Sequence, residues 1–81
     1  MTTTARFTDR QGQYLAFIHA YTKVMKQPPA MNDIARFFEV TPPTAYNMVV
    51  QLERLRLVSR EPGAARSIRV SIPTDAIPPL R

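Results

Sequence analysis

Cysteine is absent from this 81-residue chain, and histidine occurs once, at His19. Those two facts exclude a disulfide framework, a thiolate zinc site and a site built on several imidazoles. No apolar run approaches the length of a membrane span. The stretch Met1–Phe7 is short and polar, without the apolar segment of a signal peptide. A cytoplasmic protein with no membrane partner is expected. Acidic residues are scarce: 6 Asp and Glu stand against 11 Lys and Arg. Asp33 and Glu39 are the one nearby acid pair in the middle of the chain, and no nucleophile–base pattern accompanies them. His19 reads as a helix-surface residue beside Ile18. No catalytic residue, metal or cofactor is expected.

What the chain does have is positive charge. Its formal net charge is +5 and its pI is near 10.5. Nine of the cations are arginine and only Lys23 and Lys26 are lysine. The planar arginine fork suits phosphates and guanine edges better than the point charge of lysine. An anionic partner fits this balance, although a solvated basic surface has the same composition. At 44% hydrophobic, the chain can bury one small core.

Thr8, Asp9, Arg10 and Gln11 read as a capping box opening a first helix over Thr8 to Lys26. Tyr14, Leu15, Ile18, Tyr21 and Met25 form its apolar face at spacings of three and four, widened by Phe17 and Val24. Pro28 and Pro29 stop it. A second helix is expected over Met31 to Phe38, on the stripe Ile34, Ala35 and Phe38. Its cap residue, Ala30, has no side-chain oxygen, so Asn32 serves or the end frays. Thr41 caps a third helix with Pro42 at its first position. Ala45, Met48 or Val49, Leu52 and Leu55 face inward. From Leu57 the period changes to two. Strands are expected over Leu57 to Glu61 and Ser67 to Ile72, joined by the turn Pro62-Gly63-Ala64-Ala65. Residues 1–7 are read as a flexible N-terminus, 8–72 as the domain, and 73–81 as an extended proline-rich tail.

Three helices followed by a two-stranded hairpin is the order of a winged helix: mainly α, with a small β wing. The second and third helices also fit a helix-turn-helix. Counting from Met31, apolar residues fall fourth, eighth, tenth and eighteenth, at Ile34, Phe38, Val40 and Met48. Small residues fall fifth and fifteenth, at Ala35 and Ala45, where steeply crossing helices need room. The outer face of the third helix then carries Tyr46, Asn47, Val50, Gln51 and Arg54. Asn and Gln match adenine edges, Arg matches guanine, and Val50 matches a thymine methyl. Thr41, Pro43 and Thr44 at its start lie where a phosphate would sit. Arg60, Arg66 and Arg69 flank the wing and suit the neighbouring backbone or minor groove. Solvent-facing residues would be of the same types, and arginines also keep edge strands soluble. The helical frame favours double-stranded DNA. The alternative is a winged helix used for protein contact with little DNA specificity.

The segments "FTDRQGQYLAFIHAY", "QPPAMNDIARFF" and "QLERLRLVSREPGAARSIRV" together resemble the N-terminal DNA-binding domain of LexA-type repressors. The match lies in the helix start Thr8, Arg10 and Gln11, and in the double proline Pro28-Pro29. It continues through Leu52 and Glu53 and the wing residues Arg60, Pro62, Gly63, Arg66 and Ile68. It covers Phe7 to Val70. The third helix and wing also resemble MarR-type regulators. The resemblance implies a sequence-specific transcriptional regulator, a repressor by type.

The sequence departs from that family in three ways. Glu39 and Arg56 stand where such motifs usually carry glycine. A left-handed backbone at either would cost about 1 kcal/mol relative to glycine. Positions 42–43 are a double proline, and the family's usual reading residues are replaced. LexA-type repressors continue into a self-cleaving domain with a serine–lysine dyad and an Ala-Gly cleavage site. Neither Gly12 nor Gly63 follows an alanine, and both lysines lie in the first helix. A stand-alone domain without self-cleavage is therefore expected, acting as a homodimer through the first helix or the tail, or with a partner protein.

Overall fold

The computed structural model of the chain describes residues 7–81. Six of the seven residues read as a flexible N-terminus, 1–6, lie outside the described residues. Helix α1 spans Asp9–Met25, α2 spans Met31–Phe38 and α3 spans Pro42–Arg54. The hairpin pairs β1, Val58–Ser59, with β2, Arg69–Val70, and a 3-10 turn covers Thr74–Ala76.

Each helix start follows from its local chemistry. The amide of Thr8 donates to Gln11 Oε1 at 2.9 Å, and the amide of Gln11 donates to Thr8 Oγ1 at 3.1 Å. This is the reciprocal capping box. Thr41 Oγ1 accepts from the Thr44 amide at 3.3 Å, while Pro42 and Pro43 occupy positions where no donor is missed. At α2 neither expected solution is used. Asp33 Oδ2 instead accepts from the Ala30 amide at 2.8 Å, so the carboxylate closes an end that alanine cannot cap.

The helix ends carry the strain the sequence raised. Lys26, Glu39 and Arg56 all have positive φ, at 64°, 55° and 63°. Glu39 and Arg56 close their helices in Schellman fashion. The Val40 amide bonds to the Ala35 carbonyl at 3.0 Å, and the Leu57 amide bonds to the Leu52 carbonyl at 2.9 Å. Both turns therefore keep the left-handed geometry without glycine.

The core is built by Tyr14, Leu15 and Ile18 of α1, Ile34 and Ala35 of α2, Ala45, Val49 and Leu52 of α3, and Leu57, Val58 and Ile68 at the wing base. Ala35 and Ala45 are 4% and 0% exposed, as the close crossing of α2 and α3 requires. Phe38, Val40 and Met48 pack partly buried around them. Tyr14 stacks on Phe38 with ring centroids 4.0 Å apart, and Phe17 stacks on Phe37 at 4.4 Å. Three apolar residues expected inside are outside: Val24 is 74% exposed, Met25 53% and Leu55 48%. They lie in the last turn of α1 and just past α3, where the helices overhang the core.

Two further expectations need correction. The ladder is shorter than the alternating pattern implied, pairing only Val58 with Val70 and Ser59 with Arg69. Beyond it the Ser67 hydroxyl takes over: Oγ accepts from the Glu61 amide at 2.8 Å and donates toward the carbonyls of Glu61 and Ala64. The tail is not an extended arm. After the 3-10 turn it returns along α1, where Gln13 Nε2 donates to the Pro79 carbonyl at 2.9 Å. Gln13 Oε1 accepts from the Arg81 amide at 2.8 Å, and the Arg81 guanidinium pairs with Asp9. Gly12 opens the slot, since a Cβ there would lie 2.9 Å from Phe7 Cε1 and 3.0 Å from Pro78 Cγ. The tail lies against Gly12 and Gln13, which begin the run buried without a break from Gly12 to Ile18.

Candidate nucleic-acid interface

With Ala45, Val49 and Leu52 committed to the core, the opposite face of α3 is left to solvent. Thr41, Pro43, Thr44, Tyr46, Asn47, Gln51 and Arg54 are exposed there, and Val50 is half-buried. Thr41 and Thr44 share a hydrogen bond, Oγ1 to Oγ1, at 3.0 Å at the start of α3, where Pro42 and Pro43 carry no amide hydrogen and the Thr44 amide is already capped. The helix therefore presents, from start to end, two hydroxyls at a positive dipole end, two amide side chains and one cation.

The wing reaches α3 through Arg60. Its Nε donates to Glu53 Oε1 at 3.1 Å and its Nη2 to the Tyr46 hydroxyl at 3.4 Å. The guanidinium carbon lies 5.1 Å from the Tyr46 ring centroid. Tyr46 and Glu53 are seven residues apart, two helical turns, so one helix face supplies both anchors. Tyr46 first and Glu53 next hold the Arg60 guanidinium more firmly protonated than a free arginine.

Arg66 is positioned differently from what its place in the wing suggested. Its Nη1 donates to Asp33 Oδ2 at 3.0 Å, the Tyr21 hydroxyl at 3.1 Å and the Pro28 carbonyl at 3.2 Å. The wing thus has a second attachment, to α1, α2 and the segment between them. Arg69 is exposed on β2, opposite Ser59. The Asp33 carboxyl is held below its ordinary value of 3.8, first by the Ala30 amide and further by Tyr21 and Arg66, against partial desolvation.

The structure therefore brings Tyr46 and Arg60 together, leaves Asn47, Gln51, Arg54 and Arg69 exposed, and ties Arg66 to the helices. The sequence reading missed Asp33 and Glu53 as anchors. For Glu53 a signal existed, the shared face with Tyr46. For Asp33 there was none, because its partner lies 33 positions away. Between the wing and the start of α2 lies a cleft of about 280 Å³, lined by Met31, Asn32, Arg60 and Ser67 among others. Among the described residues no group of three His, Cys, Asp or Glu could hold a metal ion. Among the described residues no helix is long and apolar enough to cross a membrane.

Comparison with known proteins agrees with this geometry. The family profile described as the LexA DNA binding domain matches residues 4–67. The LexA repressor of Thermotoga petrophila is 36% identical over 64 residues, which is 79% of this chain and 32% of that protein. The LexA repressor of Pseudothermotoga lettingae is 39% identical over 70 residues, 86% of this chain and 34% of its own length. The chain thus spans about a third of the length of the curated relatives it matches. Among solved structures, MepR of Staphylococcus aureus in complex with DNA superposes with a TM-score of 0.65 at 28% identity, over 88% of this chain and 51% of that one. A second MepR structure, described as a transcription regulator of a multidrug efflux pump, gives 0.63 at 31% identity, over 88% and 50%.

Proposed function

Because the chain belongs to the LexA DNA-binding domain family, we propose that it binds double-stranded DNA sequence-specifically and regulates transcription, as a repressor. The observation that carries this reading is the outward polar face of α3 beside a cationic wing. Asn47 and Gln51 read base edges in the major groove, Arg54 takes a guanine edge or a phosphate, and Val50 meets a thymine methyl. The Thr41 and Thr44 hydroxyls, beside Pro43, bond a phosphate at the helix start. Tyr46 and Arg60 form one ledge between α3 and the wing. Arg69 contacts the backbone or minor groove.

The role is binding, not catalysis, in the bacterial cytoplasm. One small winged helix covers little duplex, so a homodimer or a partner protein belongs to the proposal. The rival is a winged helix that contacts only protein.

The test is selection from a random duplex pool, followed by affinity measurement against salt. An enriched sequence should emerge. Two to four neutralised phosphates give a log–log slope of about −2 to −4. Gln51→Ala should cost about 1–3 kcal/mol and relax one position. No enrichment, or affinity indifferent to salt, would leave the protein-contact reading in its place.

A further inference from the structure

The hairpin has only two paired residue positions, and a two-stranded ribbon of that length does not hold its own orientation. Something else must aim it. We propose that Arg66 is a positioning residue, which clasps the wing to α1 and α2 so that wing and α3 meet a duplex at one fixed angle. This rests on the DNA-binding reading above.

Four parts of the chain converge on the clasp. Arg66 comes from the wing, Tyr21 from α1, the Pro28 carbonyl from the connection and Asp33 from α2. The acceptors are rigidly held. Pro28 and Pro29 are buried, and proline fixes its own backbone. Asp33 is pinned by the Ala30 amide at 2.8 Å, so the same carboxylate that starts α2 also holds the wing. Its side chain is only 18% exposed, against 80% for Arg36, whose 4.0 Å approach to Oδ1 is a much looser contact. Compared with an unpaired arginine, Arg66, whose side chain is 38% exposed, therefore offers less to a phosphate. Its neighbouring carboxylate would repel one, and Nη1 is already shared among three acceptors. Arg60 makes the corresponding tie to α3 through Glu53 and Tyr46. The wing is strapped on both sides, and Arg69 stands exposed on β2 outside both straps.

A direct phosphate contact and a clasp predict opposite signs for one substitution. Asp33→Asn, Arg66→Gln, Arg66→Lys and the Asp33→Asn/Arg66→Gln double variant would be measured against the duplex most enriched from a random pool. Amide exchange at Glu61 and Ala64, both hydrogen-bonded within the wing, would be followed in the DNA-free proteins. The clasp predicts faster exchange in each single variant, with no further rise in the double. It predicts duplex affinity reduced at least about threefold by either change, without additivity. Arg66→Lys should not restore it, since lysine cannot reproduce the planar fork. Asp33→Asn binding as tightly as the parent or more so, with Arg66→Gln alone lowering the salt slope by about 0.9, would make Arg66 a phosphate contact and overturn the clasp. Unchanged exchange at Glu61 and Ala64 overturns it independently of DNA. Faster exchange in a chain that binds no duplex overturns the DNA reading instead, and with it the clasp's purpose.

Discussion

Glu39 and Arg56 offer the sharpest test of how this fold tolerates its own sequence. Both sit at positive φ, 55° and 63°, Glu39 at the end of α2 and Arg56 just past the end of α3. A side chain in that region costs about 1 kcal/mol relative to glycine, because Cβ crowds the following carbonyl. Glu39→Gly and Arg56→Gly should each recover about that amount. For a domain of this size 1 kcal/mol corresponds to a rise of about 4–8 °C in Tm. At 1.5 Å per residue, the 13 residues of α3 hold the two sites on the order of 20 Å apart, so the gains should add. Thermal unfolding followed by circular dichroism measures this directly. Glu39→Ala and Arg56→Ala keep a Cβ and serve as controls, which should recover little. If the glycine variants melt no higher than the alanine variants, left-handed strain is not what these turns store. The functional corollary is that stability rises while the angle of α3, set by the same hydrogen bonds, stays unchanged.

Two other substitutions probe the packing and the charge network. Gly12→Ala should displace the tail, because the new Cβ would stand 2.9 Å from Phe7 and 3.0 Å from Pro78. Proteolysis of the last residues should accelerate even though alanine favours the helix by about 1 kcal/mol; an unchanged digestion rate would show that the slot gives way. Asp33 has a depressed carboxyl pKa, so its contribution is complete above its ordinary value of 3.8 and is lost as pH falls through the lower folded value. The Tm gap between the parent and Asp33→Asn should therefore be full at pH 6 and shrink below about pH 4, and a gap constant with pH would contradict the assignment.

How far the sequence could be read depended on the range of each interaction. The starts of α1 and α3 were legible because Thr8 with Gln11, and Thr41 with Pro42, settle their geometry within four residues, whereas at α2 the Asp33 carboxylate took a role its sequence position had not announced. The alanines at 35 and 45 marked the helix crossing, since few other residues allow so close an approach. The shift to a period of two after Leu57 located the wing, although Ser67 shortened its ladder with side-chain bonds that no periodicity announces. The tail was missed for another reason. Its hold on Gln13 spans 66 and 68 positions and uses backbone groups, so it leaves no mark on local composition. Arg66 looked like any other wing cation, and only the fold shows Asp33 and Tyr21 waiting for it. Val24 and Met25 kept the helical rhythm past the edge of the core, which periodicity alone does not reveal.

The most direct measurement is a residue-resolved nuclear magnetic resonance titration of the labelled protein with the enriched duplex. The side-chain amides of Asn47 and Gln51, the backbone of Thr41–Thr44 and the wing amides Gly63–Arg69 should shift together and saturate at one stoichiometry. Shifts gathered instead around Val24, Met25 and Phe37, with α3 silent, would contradict the account.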